Sequence, residues 1–215
     1  MKIPHTVIDH ITITAPTLEA GAELVEQALG VPLQKGGEHP RMGTHNLFLR
    51  LGDAVFLEVI ACNPNAKKPD RPRWFALDDV NENTPASLKT WVVRTADIKA
   101  TVNDCSEPIG EIEPMSRGKA NWLFTIPKDG SLPINEGAPA LIQWQTESHP
   151  ATAFIDHGLS LLKLQIIHPE PKRLLAFMES INLKDFEESV EVLQGDTVKM
   201  VAYIDTPQGV KELSV

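Results

Sequence analysis

Long apolar runs are missing from this 215-residue chain: nowhere do about 18 apolar residues follow one another, so no transmembrane helix is expected. Basic residues are in the minority, 20 Lys and Arg against 29 Asp and Glu, for a formal net charge of -9. A chain this acidic lacks the basic face that nucleic acid or an anionic membrane requires, and neither is expected as a partner. The first residues, Met1 to His5, lack the apolar core of a signal peptide. Cysteine is scarce: Cys62 and Cys105 stand far apart, in no metal or redox spacing, and read as free buried thiols of a cytoplasmic protein. Aromatic residues amount to only 6%.

Proline, by contrast, is plentiful at 17 residues, and proline punctuates strands and loops more readily than it sits in helical bundles. With 42% hydrophobic and 23% charged residues the chain has the composition of a soluble globular protein. Its length suffices to bury roughly 70% of the unfolded surface.

A pass along the chain finds one order of elements three times. Val7 to Ala15 is β-branched and alternating, a strand. Leu18, Leu24, Val25 and Leu29 give a helical face that Thr17 can cap and Gly30 can close. A strand begins at Val31 and is interrupted by a Gly36-Gly37-Glu38-His39-Pro40 loop; strands Thr44–Leu51 and Ala54–Ala61 follow around a Gly52-Asp53 turn. The pattern recurs with a strand at 88–95, a helix capped by Asp97, and strands at 111–115, 120–126 and 140–145. A third round has a strand at 161–167, a helix opened by Pro171, and strands at 190–193, 199–204 and 211–215. The expected class is α+β, with βαβββ modules at 1–62, 87–147 and 148–215 and a linker at 63–86. Repeats of this size are units that cannot bury a sheet face alone.

Two residues stand out before any resemblance is considered. Glu58 lies in Ala-Val-Phe-Leu-Glu-Val-Ile-Ala, a run apolar on both faces and hence a strand buried on both sides. A carboxylate there must be paired, protonated or bound to metal. It reads either as a site residue (ligand or general base) or as a salt-bridge partner of Arg50 or Arg94. His10 sits mid-strand, on the face that period-two alternation shares among Ile8, His10, Thr12 and Thr14, with Asp9, Ile11 and Ile13 opposite. Imidazole and carboxylate together suit Zn, Ni, Fe or Mn.

The repeat resembles the vicinal oxygen chelate superfamily (glyoxalase I, extradiol dioxygenases, antibiotic-binding resistance proteins), and more narrowly the glyoxalase-like domain family. The matching segments are Ile8-Asp9-His10, Gly43-Thr44-His45-Asn46, Leu49-Arg50-Leu51-Gly52 and Phe56 to Ala61 in the first unit. In the second they are Trp91 to Thr95, Met115-Ser116-Arg117 and Leu141-Ile142-Gln143-Trp144. The resemblance implies that two units curve into a cup holding a divalent metal on the first and last strands of each. His10 and Glu58 would supply the first half. Laying the units over one another puts Thr90 at the position of His10 and Gln143 at that of Glu58, two weak donors that depart from the metal-binding pattern. His45, Arg117 and Trp122 fall on middle strands and, with Thr90, would line the cup against a small-molecule ligand, with Arg117 suited to a carboxylate or phosphate. His39, beside the Gly-Gly loop, reads as a rim residue or a solvated loop histidine, and Arg71 to Asp79 reads as a segment folded over the cup or as a packed linker.

Two functions follow. One is a metal-assisted lyase, isomerase or dioxygenase acting on a small oxygenated molecule, with Glu58 moving the proton. The other is a metal-free binding or sequestering protein of the antibiotic-resistance type; a module whose cup is vestigial is a third reading. The cofactor is accordingly a divalent metal (Zn, Ni, Mn or Fe) or none. A cup needs two units, so the third is expected to pack on the first two or to pair with its copy in a homodimer.

Overall fold

The computed structural model describes residues 4–184 and 186–214. Met1 to Ile3 of the segment read above for a signal peptide, and the end of the last strand at Val215, lie outside them. The first unit runs β1 (Val7–Thr14), α1 (Leu18–Leu29), β2 (Gln34–His39), β3 (Thr44–Arg50) and β4 (Phe56–Cys62). Thr17 accepts from Ala20 N–H at 3.1 Å and Gly30 closes α1 in the left-handed region at φ 75°, as its Thr and Gly predict. The second unit runs β5 (Ser87–Arg94), α2 (Ile98–Asp104), β6 (Glu111–Arg117), β7 (Ala120–Ile126) and β8 (Ala140–Trp144), with Asp97 capping α2. No helix among the described residues is long and apolar enough to cross a membrane.

The two units form one sheet in the order β2-β3-β4-β1-β5-β8-β7-β6. In each unit the first strand pairs parallel with the last, and β1 meets β5 antiparallel at the centre. The sheet curls until its edges approach: Arg41, just past β2, donates to the carbonyl of Pro114 at 3.0 Å and pairs with Glu113, both on β6. The helices cover the outside of the curl, and the inside is the cup.

One strand departs from the sequence expectation. The Gly36 to His39 stretch is not a loop; it is most of β2, hydrogen-bonded to β3. Its glycines are required by close approach. A Cβ on Gly36 would lie 2.1 Å from Asn46 Oδ1, and one on Gly37 would lie 2.7 Å from Arg117 Cδ.

The third unit has β9 (Ser160–His168), α3 (Pro171–Ser180), a short α4 (Phe186–Ser189), β10 (Val190–Gln194), β11 (Lys199–Thr206) and β12 (Gly209–Leu213). It keeps the order of elements but not the strand order of the other two. Its four strands run β10-β9-β11-β12, so the strand after the helix lies parallel beside the first instead of at the far edge. This unit packs against the outer, helix-bearing side of the large sheet. Leu164, Ile166, Phe177 and Met200 belong to the same buried cluster as Ile11, Val25, Trp91, Ile98 and Leu141. Each such side chain contributes about 1.5–3 kcal/mol on burial. Backbone bonds join the units too, Leu161 N–H to the carbonyl of Leu51 at 3.1 Å and Lys184 N–H to that of Thr6 at 2.8 Å. The inner face of the third sheet is thus covered within the chain. Both cysteines are free and half-buried, and burial pushes the Cys105 thiol up to about 11.

Candidate functional site

The site begins with a break in alternation. Along β1 the register slips between Ile8, opposite Val93, and His10, opposite Val92, so Asp9 is the extra residue of a bulge. Ile8 therefore joins Ile11 and Ile13 in the helix-side core, while Asp9 and His10 bond to each other as neighbours. The period-two expectation that put Ile8 with His10 fails here.

Asp9 is fully buried and accepts from three groups: His10 Nδ1 at 2.6 Å, Trp144 Nε1 at 2.8 Å and His149 Nε2 at 2.9 Å. His149 Nδ1 in turn accepts from Ala151 N–H at 3.2 Å, which leaves its proton on Nε2. Burial pushes the Asp9 carboxyl up, but the bonds from His10 and His149 outweigh it and hold the group well below the usual carboxylate range. The carboxylate fixes a proton on His10 Nδ1, so Nε2 is the atom left to face Glu58 Oε2, 3.7 Å away. The imidazole is clamped further by stacking on Phe56 at 4.4 Å.

Glu58 is 6% exposed at the middle of β4. Neither arginine considered from the sequence reaches it: Arg50 bonds Asp53, and Arg94 donates to the carbonyls of Ile8 and Ala54. Its partner is Asn46 on β3, whose amide donates to Oε1 at 2.6 Å. Asn46 is itself oriented, because its Oδ1 accepts from Gly37 N–H at 2.8 Å. The second amide proton faces His39 Nε2 at 3.5 Å. His39 Nδ1 lies 3.1 Å from the Thr44 hydroxyl. Burial, with the charges of Arg117 and His45, pushes His39 down to about 3, so it is neutral. His39 is no solvated rim residue; it is a buried end of a chain of contacts running His39, Asn46, Glu58, His10, Asp9, His149.

This chain lies under a narrow cavity lined by His10, Glu58, Arg117 and aromatic walls that include Phe48, Phe56, Trp74 and Trp122. About 30 Å³ is open to the centre of a water molecule, room for roughly one or two ordered waters. Trp74 and Phe75 of the Trp74–Asp79 turn form part of its wall. Phe75 (φ 58°) and Ala76 (φ 52°) hold left-handed backbone there, each at a cost of about 1–3 kcal/mol. The turn is pinned by Ala76 N–H on the Gly130 carbonyl at 2.8 Å and by Asp78 accepting from Arg73 N–H at 2.9 Å.

The remaining sequence candidates divide. Arg117 and Trp122 line the cavity. The Arg117 guanidinium lies 4.6 Å from the Phe48 ring centroid; burial lowers its pKa, and the Glu58 charge opposes that. His45 does not line the cavity; its neighbours Asn46 and Phe48 on β3 supply the inward side chains. Thr90 is fully buried, and its hydroxyl makes a 3.5 Å contact with the carbonyl of Trp91. Thr90 does match His10 in register, because Thr12 pairs with Thr90 and His10 with Val92. The same register corrects Gln143. Thr12 lies beside Glu58 and its counterpart Val92 lies beside Ala140, so Ala140 is the counterpart of Glu58. Gln143 is three residues further on, where its Oε1 accepts from Ile98 N–H at 3.0 Å at the start of α2. The sequence did not flag Asp9, Asn46, Trp144 or His149. The Gly36-Gly37 pair was the available signal for Asn46.

The chain matches the family described as "Glyoxalase-like domain" over residues 8–181. It belongs to that family. Among solved structures, a hypothetical protein from Staphylococcus aureus is 17% identical at a TM-score of 0.64, covering 90% of this chain and 87% of that one. Methylmalonyl-CoA epimerase from Streptomyces coelicolor, in complex with 2-nitronate-propionyl-CoA, is 21% identical at a TM-score of 0.44, covering 67% and 100%. Methylmalonyl-CoA epimerase from Mycobacterium tuberculosis is 17% identical at 0.41, covering 64% and 85%. At these identities the likeness is one of fold. No curated protein matches the chain.

The glyoxalase-like fold implies a metal between the first and last strands of both units, and the donors at those positions do not fit one. His10 and Glu58 stand in the first unit, while Thr90 and Ala140 occupy the matching places in the second. One Glu58 oxygen is already held by Asn46. Among the described residues no three His, Cys, Asp or Glu side chains are grouped to hold an ion. Tight binding at a catalytic site takes three good protein ligands.

Proposed function

We propose that this glyoxalase-like protein is an enzyme that moves a proton on a small oxygenated molecule held in the cup, using His10 and Glu58 without a tightly bound metal. The observation that carries the reading is the Asp9–His10–Glu58 arrangement at the floor of the cavity. Asp9 secures one imidazole nitrogen, Asn46 secures one Glu58 oxygen, and the two free atoms face each other across 3.7 Å. That gap is wider than a direct hydrogen bond, and both atoms belong to residues lining the cavity. In this reading Glu58 Oε2 takes a proton from carbon next to a carbonyl and the electron pair stays on the substrate as an enolate; the bare His10 Nε2 then takes that proton from Glu58, and the imidazolium so formed, its charge balanced by Asp9, returns it to the substrate carbon. Aromatic walls exclude water and strengthen these contacts.

The natural substrate need not be identified for the test. Small 2-oxo acids and 1,2-diketones are incubated with the protein in D2O, and loss of the proton next to the carbonyl is followed by NMR. Exchange above background is expected, falling about 100-fold or more in Glu58→Gln and His10→Ala. Stoichiometric Zn, Ni, Mn or Fe in the purified protein, lost in the same variants, would restore the metal-assisted reading. The second reading, a metal-free sequestering protein, is favoured by the aromatic walls and by Thr90 and Ala140 standing where donors belong. Ligand binding with no exchange by any probe would support it.

A further inference from the structure

One residue lining the cavity, Trp74, has a buried hydrogen-bond donor without a partner, and another, the half-buried Arg117, is a cation without a protein acceptor among the described residues. Every other arginine of the chain bonds a carboxylate or a carbonyl: Arg41, Arg50, Arg71, Arg73 and Arg173 reach carboxylates, and Arg94 reaches two carbonyls. Arg117 reaches no hydrogen-bond acceptor among the described residues; it rests on the rings of Phe48 and Trp122 at 4.6 and 6.0 Å. The indole N–H of Trp74, on the same cavity wall and in a residue 4% exposed, also lacks an acceptor. A buried donor without a partner costs about 1–3 kcal/mol, and a guanidinium presents its five donors as a planar fork. The fold spends a special feature on placing this one, since Gly37 has no side chain where the Arg117 stem lies.

We propose that the ligand of this cup carries a carboxylate, taken by the Arg117 guanidinium with the Trp74 indole N–H as a second donor, on a short body of no more than a few heavy atoms, the size the narrow cavity admits. This rests on the reading that the cavity is the reactive site, and names its substrate class. A carboxylate fits better than a phosphate ester. Arg117 supplies a single positive charge with Glu58 close enough to act on it, and a phosphate would bring nearly twice the negative charge to that place.

Isothermal titration of the full chain with acetate, acetamide and methyl phosphate tests the class. Acetate is expected to bind at least about tenfold more tightly than acetamide. The preference should vanish in Arg117→Met, persist in part in Arg117→Lys, and weaken in Trp74→Phe. Thermal melting of each variant shows whether it folds, and Arg117→Lys keeps the test valid if Arg117→Met does not. Equal affinity for acetate and acetamide, no binding of either, or tighter binding of methyl phosphate overturns the proposal. Glu58→Gln separates it from the proton-transfer reading. Acetate should bind that variant as tightly as wild type or more so while proton exchange is lost. If exchange survives in Glu58→Gln, the role of Glu58 as base fails and the carboxylate site stands. If exchange is lost but acetate shows no preference, the reverse holds.

Discussion

Replacing Asp9 by Asn changes one atom at the most connected group of the site. The wild-type carboxylate accepts on Oδ1 from His10 and on Oδ2 from Trp144 and His149. An amide has only one oxygen. Trp144 can only donate, and His149 is held as a donor by its bond from Ala151 N–H, so the oxygen must stay on their side. The new NH2 then faces His10 Nδ1, which becomes the acceptor, and the neutral ring carries its proton on Nε2, facing Glu58. The three bonds survive in number but lose their charge assistance. With neighbouring donors already buried, a loss of about 1–3 kcal/mol is expected in urea unfolding at neutral pH. Long-range nitrogen–proton NMR of the histidine rings reads the tautomer directly. The variant should show His10 protonated at Nε2 instead of Nδ1, with proton exchange on the substrate probes lowered by about 100-fold or more. A variant as stable as wild type whose neutral His10 keeps its proton on Nδ1 would refute the reasoning. The same carboxylate also sets acid sensitivity. Because its pKa is lowered in the folded state, its contribution is complete above the ordinary value of about 3.9 and is lost as pH falls below that.

His39 gives a second pH effect at higher pH. Its folded pKa is pushed down to about 3, so below about 6.5 the unfolded chain binds a proton that the folded chain does not. Denaturant titrations should show stability falling by about 2–3 kcal/mol between pH 6.5 and pH about 4.5, and His39→Gln should flatten that fall. Gly36→Ala should cost about 1–3 kcal/mol and displace Asn46 from Glu58, because the added methyl group would meet both the Asn46 side chain and its carbonyl; a crystal structure with the 2.6 Å bond intact would contradict this. Phe177→Ala, in α3 of the third unit, should destabilise by about 3–5 kcal/mol in a single unfolding transition, since its core is shared with both other units. A separate early transition of the third unit would contradict the shared core.

The sequence by itself determined what depends on neighbours along the chain. The βαβββ order, the Thr17 and Asp97 caps and the Pro171 start follow from residues within a turn of one another. Glu58 was legible because an ionisable group in a run buried on both faces always needs a reason. Tertiary structure decided whatever depends on register. A bulge in β1 broke the alternation and delivered Asp9 beside His10, and the residues that hold Asp9, Trp144 and His149, lie 135 and 140 residues away in sequence. Three residues of register in β8 turned Gln143 from a metal donor into a cap for α2 and left Ala140 opposite the function of Glu58. The glycine pair read as a loop became a strand because two distant side chains, Asn46 and Arg117, need the space that glycine leaves. Period and propensity are properties of a segment, whereas a bulge, a register and a close approach are settled between segments, where the packing free energy is.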